Sequence, residues 1–231
     1  MRGAITALSV ACGLQAAIAL QRLDTGAAET ATRRALAAVE AGGLEDYSTS
    51  GLVYAVSGRV AMANGSVEEA KGFIGRFNRL RPKLSAALPV YAILARLEAV
   101  RAYVALQDGA AARTLMLEIA GVLRLRPDMG WLASEATTIG KTVDAMRQTA
   151  AGPWTLTTAE LRLLAFLPTH LSFREIAQRL FVSPHTVKTQ AVSIYGKFGV
   201  SSRRAAIEHA VTAGLLDESV LRFPIGGGGI G

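Results

Sequence analysis

The side chains best suited to do chemistry are gathered near the carboxy-terminal end, at Lys188, Thr189, Gln190, Val192, Ser193 and Lys197. On a helix from about Pro184 to Phe198, the residues Val187, Ala191, Ile194, Tyr195 and Phe198 are spaced by four, three, one and three, which makes one apolar stripe. The remaining face carries Lys188, Thr189, Val192, Ser193 and Gly196, with Gln190 and Lys197 on its flanks. It has positive charge, no carboxylate and small side chains. The chemistry open to such a face is contact with a polyanion, in a groove about 12 Å wide. Composition alone would equally describe a solvated helix face, so the surrounding elements have to decide.

Other chemistries find no support in the residues. A phosphate-cradling G-x-x-x-x-G-K-[ST] loop is missing, and the dense glycine run 226–229 is followed by no lysine, hydroxyl residue or helix. Strands and helices do not alternate, so a phospho-accepting receiver domain has no scaffold. His170, His185, His209 and Cys12 satisfy no metal-ligand spacing. We therefore expect neither an enzyme nor a cofactor. With a single cysteine no intrachain disulfide forms, which suits a reducing compartment, and Cys12 reads as a small buried hydrophobe.

The reading face needs helices to hold it, and their starts are written in the sequence. An apolar residue, a hydroxyl residue and a second apolar residue five positions after the first recur at Leu156, Thr157 and Leu161, at Leu171, Ser172 and Ile176, and at Val182, Ser183 and Val187. Each predicts a hydrophobic staple around an N-cap. Glu160 and Glu175 complete capping boxes with Thr157 and Ser172, while Pro184 occupies the first helical position of the third helix, where its missing N–H costs nothing. The predicted helices are 158–166, with Leu161, Leu164 and Ala165 inward, and 173–180, with Ile176, Ala177 and Leu180 inward. Phe181 and Val182 leave room only for a turn, so the third helix crosses the second steeply, as in a helix-turn-helix. Gly199 ends the third helix. Ser201 and Ser202 start a fourth over about 203–213, burying Ala206, Ile207 and Ala210.

The first 150 residues read as helix nearly throughout, at about 4–23, 27–41, 47–63, 66–80, 88–106, 110–124 and 129–149. A turn followed by an alanine-bearing helix recurs, placing Ala31, Ala70 and Ala112 in equivalent positions. Stacked helical hairpins are expected, because a lone hairpin cannot bury its apolar stripe. The pattern resembles degenerate tetratricopeptide repeats of lengthened period. Tyr54, Tyr91, Tyr103, Arg96 and Arg101 are candidates to line a concave surface there, or to pack between helices and face solvent as ordinary structure does. The breaker Ala150-Ala151-Gly152-Pro153 closes this region, giving a repeat domain at 1–151, a linker at 152–155, a second domain at 156–217 and a flexible glycine-rich tail at 218–231.

The chain of 231 residues is 51% hydrophobic and 19% charged, with a net charge of +7. Of its charges, 17 Lys and Arg stand against 13 Asp and Glu up to Gly152, and 8 against 5 beyond it, so the shorter part is denser in positive charge. A basic balance favours a polyanionic partner. Mean hydropathy of +0.31 reflects alanine rather than a membrane span. The run from Gly3 to Leu20 is broken by Thr6, Ser9 and Gln15 and reads as an amphipathic helix, not an export signal.

The stretch from Leu156 to Ile207 resembles the LuxR-type (GerE-like) helix-turn-helix domain of bacterial transcription regulators. The resemblance rests on L-T-x-x-E at 156–160, S-x-x-E-I-A at 172–177, L-F-V-S at 180–183, T-V-K at 186–188 and I-Y-x-K-x-G-V at 194–200. Together with the preceding helical repeats, it is also similar to the carboxy-terminal part of large MalT-like regulators, which carry an ATPase module upstream.

The resemblance implies an all-α, cytoplasmic, homodimeric regulator that binds double-stranded DNA in the major groove, with a protein or small-molecule effector at the repeat domain and no membrane partner. It places Lys188, Thr189 and Val192 against base edges and Thr186, Lys197 and Arg203 near phosphates, with Gln190 and Ser193 on the same surface. Gln190 stands where many members have His, Gly196 where a basic residue is common, and Ala205 where Glu is common. The other reading is a repeat-based interaction or scaffold protein, or a remnant of a larger ATPase regulator, with weak or vestigial DNA binding.

Overall fold

The computed structural model describes residues 2–146 and 155–222. All regular structure among them is helical, and the chain divides into two compact units, residues 1–150 and 151–231. The expected linker before Thr155, the end of the helix predicted to reach residue 149, and the tail from residue 223 lie outside the described residues.

The first unit contains α1 (Arg2–Gln21), α2 (Thr25–Gly42), α3 (Ser50–Ala63), α4 (Val67–Leu80), a 3-10 turn (Arg81–Lys83), α5 (Pro89–Ala105), α6 (Gly109–Leu125) and α7 (Trp131–Asp144). Three hairpins, α1 with α2, α3 with α4 and α5 with α6, are joined because α3 packs on α1 and on α5, and α5 packs on α7. Helix α1 is long and apolar enough to cross a membrane. Here it is a packing helix, with Cys12, Ala16, Ala19 and Leu20 buried and α2 and α3 against it.

The turn inside each hairpin is built the same way, and the builds recur every 42 residues. Leu23, Gly65 and Gln107 take positive φ of 61°, 77° and 59°. The next residue donates its N–H five positions back, from Asp24 to the carbonyl of Ala19 at 3.0 Å, from Ser66 to Ala61 at 2.8 Å and from Asp108 to Tyr103 at 2.9 Å. This is the left-handed helix end that satisfies otherwise orphan carbonyls. Asp24 and Asp108 then cap the following helices, accepting the N–H of Ala27 and of Ala111 at 2.9 Å each. The turns fix the internal register. Ala70 and Ala112 are equivalent to Ala28, not to Ala31, and all three are fully buried. Alanine spacing alone points to Ala31 because α2 buries alanines at several positions; the cap, not the alanine, marks the phase.

Between the second and third hairpins runs a buried polar chain. Asn78 donates to Tyr103 Oη at 2.7 Å, Arg81 Nη1 donates to Asn78 Oδ1 at 2.8 Å, and Glu118 takes Arg81 and Arg96 at 3.3 and 2.9 Å. Tyr103 and Arg96 are thus interior, and burial pushes the Tyr103 phenol above its ordinary pKa. Tyr54 is buried as well, and Tyr91 donates its hydroxyl to the Thr49 carbonyl.

The second unit contains α8 (Thr158–Leu164), α9 (Phe173–Leu180), α10 (Pro184–Phe198), α11 (Arg203–Thr212) and α12 (Ser219–Arg222). Its core joins Leu156, Leu161, Leu163, Leu164 and Leu167 to Ile176, Val187, Ile194 and Phe198, and α10 packs on α8, α9 and α11. Each fully buried leucine or isoleucine contributes about 1.5–3 kcal/mol. Leu163 and Leu167 face the core where Ala165 was expected, and Ala165 is exposed. Leu163 and Leu167, four positions apart, share one helical side with Leu164, and beyond Leu164 the winding tightens, Phe166 and Leu167 donating three residues back to Leu163 and Leu164. The tail expected to be irregular from residue 218 opens instead on α12, where the Asp217 carboxylate accepts the Ser219 N–H at 2.9 Å.

Candidate nucleic-acid interface

The helices that carry the site start as the residues require. Thr157 Oγ1 accepts the Glu160 N–H at 3.2 Å while Glu160 Oε2 accepts the Thr157 N–H at 2.7 Å. Ser172 and Glu175 repeat the exchange at 3.3 and 2.8 Å. At α10 the Ser183 hydroxyl accepts the Thr186 N–H at 3.0 Å and pairs with the Thr186 hydroxyl at 2.8 Å. The hydrophobic staples differ. Leu156 and Leu161 are buried, but Val182 is exposed, so α10 is started by Ser183 and Pro184 without the third staple.

Between α9 and α10 the chain turns at Phe181, which adopts a left-handed conformation with φ 56° and ψ 42°. Val182 donates to the Ala177 carbonyl at 3.0 Å across the turn. The Phe181 ring is 95% exposed, so nothing in the packing holds the residue type there.

On α10, Val187, Ala191, Ile194 and Phe198 are buried. Lys188, Thr189, Val192 and Gly196 are exposed on the other side, Val192 at 61%. The side chains of Lys188 and Thr189 make no hydrogen bond or ion pair to other described residues. Gln190 and Thr186 are half-buried at the edges of this face. A Cβ on Gly196 would meet nothing within 4 Å, so this departure opens a bare patch rather than relieving a clash.

Three residues placed on the same surface by the sequence have their polar groups committed inside the domain. Lys197 Nζ donates to Glu160 Oε2 at 2.7 Å and to the Thr155 carbonyl at 3.1 Å. Ser193 donates to Glu160 Oε1 at 2.7 Å. Arg203 donates Nε to the Leu167 carbonyl at 2.8 Å, Nη1 to Leu171 at 2.9 Å, and Nη2 to Phe166 and Thr169 at 3.3 and 2.8 Å. It closes the loop between α8 and α9. Burial lowers the Arg203 guanidinium's pKa.

Glu160 is the residue that sequence reasoning missed. Its capping role is local and legible, but its two oxygens also tie α8 to α10 through partners 33 and 37 residues away. Burial alone would raise the Glu160 carboxyl. The hydrogen bonds from Lys197, Ser193 and the Thr157 N–H outweigh it and hold the group below its ordinary value. The result is that α10 is anchored on its inner side by a buried carboxylate, with Lys188, Thr189 and Val192 left outward.

Comparison with known proteins agrees with this geometry. Residues 154–210 match the family described as bacterial regulatory proteins, luxR family. Over 68 residues the chain is 37% identical to proteins named as HTH-type transcriptional regulators from Mycobacterium bovis and from two strains of Mycobacterium tuberculosis. Those matches cover 29% of this chain and 8% of each relative, so the chain spans a small part of their length. No solved structure matches the chain significantly. Residues 154–210 are a LuxR-family helix-turn-helix domain.

Proposed function

We propose that this chain is a cytoplasmic transcription regulator that binds operator DNA as a homodimer, under the control of its helical-hairpin unit. The observation that carries the reading is the outward face of α10, where Lys188, Thr189 and Val192 stand exposed with no carboxylate beside them. In the major groove, Lys188 faces the base edges and reaches a phosphate, Thr189 meets a base edge, and Val192 a thymine methyl. Thr186 and Gln190 lie at the flanks. Ser193, Lys197 and Arg203 serve as positioning residues, because their polar atoms hold α10 and the α8–α9 loop in place. Dimerisation follows from the reach of one recognition helix, which covers too few base pairs to select a site; two helices about one DNA turn apart, roughly 34 Å, read a palindrome.

The hairpin unit is read as tetratricopeptide-like on the strength of its 42-residue turn period and of helices packed in series. The test of the DNA reading is a fluorescence-anisotropy titration against duplexes from the region flanking its own gene and against scrambled duplexes. Tighter binding to a subset of the natural duplexes supports it. Equally poor affinity for both at low salt sinks it.

A further inference from the structure

The 42-residue period has a product besides the turns. Leu20, Met62 and Val104 occupy one repeat position at the ends of α1, α3 and α5, and Arg59 and Arg101 occupy another, three residues earlier. These rows, closed by Ile139 of α7, bound a cavity of about 510 Å³. A volume of ~300–1,000 Å³ with apolar walls and a few convergent polar groups is the usual form of a small-molecule site.

The polar groups are two guanidiniums held on a shared carboxylate. Glu98, buried between them, gives one oxygen to Arg59 and the other to Arg101, and Arg101 also takes Glu135. Arg59 uses Nη1 alone, so its Nε and Nη2 remain without a partner among the described residues. Of the four charged side chains Glu135 is the most exposed, at 33%, against 4% for Glu98. Glu98 is therefore the fixed anchor and Glu135 the partner most readily exchanged for another carboxylate. A largely apolar cleft with cations at one side fits an anion with an apolar body, whose carboxylate makes charge-assisted bonds to the guanidiniums that an uncharged ligand lacks.

We propose that this cavity binds a medium-chain alkyl carboxylate, whose carboxylate is taken by Arg59 and by Arg101 in place of Glu135, and whose chain lies along Leu20, Met62 and Val104. The inference deepens the reading of the hairpin unit as the controlling part, and it is tested without DNA so that the two fail separately.

The experiment is isothermal titration calorimetry of the full chain with sodium decanoate, 1-decanol and decylamine, each below its aggregation threshold. Decanoate is expected to bind saturably at one site, with decanol at least about tenfold weaker and decylamine not bound. Arg101→Gln, checked for its helical circular dichroism, should weaken decanoate at least about tenfold and leave decanol unchanged. Ala105→Trp substitutes an exposed residue of the lining and so fills the cavity without disturbing the core; it should abolish decanoate binding. Equal affinity for decanoate and decanol, absence of saturable decanoate binding, or decanoate binding that survives Ala105→Trp would each overturn the proposal. If Arg101→Gln does not fold, the decanoate and decanol comparison and Ala105→Trp still decide it.

Discussion

The ammonium of Lys197 lies 2.7 Å from Oε2 of Glu160, the same oxygen that accepts the Thr157 N–H at the start of α8. One buried carboxylate thereby joins α8, the first helix of the carboxy-terminal unit, to α10. A basic residue near the end of that helix serves as an inner anchor, and the outward positive charge of α10 rests on Lys188.

Glu160→Gln keeps the shape and removes the charge. It should lower the stability of the carboxy-terminal domain by about 1.5–3 kcal/mol at neutral pH, the range for hydrogen bonds to a charged group. The pH dependence has a definite sign. Because the carboxyl is held below its ordinary value, its contribution is fully present above an unfolded-state pKa of about 4.3, and it is lost as pH falls through the lower folded value. Amide hydrogen exchange over α8 and α10 between pH 7 and pH 3 should show protection falling at the acid end in the parent chain. Glu160→Gln should start lower and change less.

Arg203 is expected to matter for stability and not for salt. Replacing it by Met removes donors to four backbone carbonyls and should cost about 2–4 kcal/mol, while Lys, lacking the planar fork, should recover only part of it. Thermal unfolding measures the loss. The salt dependence of DNA binding, measured well below the melting temperature, should keep the parent slope; a slope reduced by about one unit would instead place this guanidinium on a phosphate.

Phe181 adopts a left-handed backbone that disfavours residues with a Cβ, and its ring contributes no packing. Phe181→Gly should therefore stabilise the domain by about 0.5–1 kcal/mol, whereas Phe181→Ala should not. Equal melting temperatures for the two variants would remove backbone strain as the explanation.

Gly196 lies within α10 with open space around it. Gly196→Ala should add about 1 kcal/mol of stability through helix propensity. Gly196→Lys should add a similar amount and also steepen the salt dependence of DNA affinity, by up to about one unit if the new ammonium meets a phosphate. Anisotropy titrations of both variants at several salt concentrations separate the two effects.

The features legible in the sequence were those encoded within a few residues. Thr157 with Glu160, Ser172 with Glu175, and Ser183 ahead of Pro184 marked helix starts because capping is a contact between positions i and i+3, and the apolar stripe of α10 followed from a fixed period. Long-range partners carried no such mark. Lys197 and Arg203 look like surface cations until folding brings Glu160 or the carbonyls around Leu167 to them, and a lysine bound for a phosphate has the same local sequence as one bound for a buried carboxylate. The repeat shows the same division. Its existence was visible in alanine-bearing turns, but its register depended on the backbone conformation of Leu23, which a leucine gives no reason to expect.

The most direct measurement is the affinity of the intact chain for natural and scrambled duplexes across a salt series, repeated with Lys188→Ala and Lys197→Met. The account predicts selective binding by the parent chain. Lys188→Ala should weaken it and lower the log–log salt slope by about 0.9 with unchanged thermal stability, and Lys197→Met should lower the melting temperature without lowering the slope. Loss of one unit of slope in Lys197→Met with none in Lys188→Ala, or no selectivity by the parent chain at any salt, would contradict it.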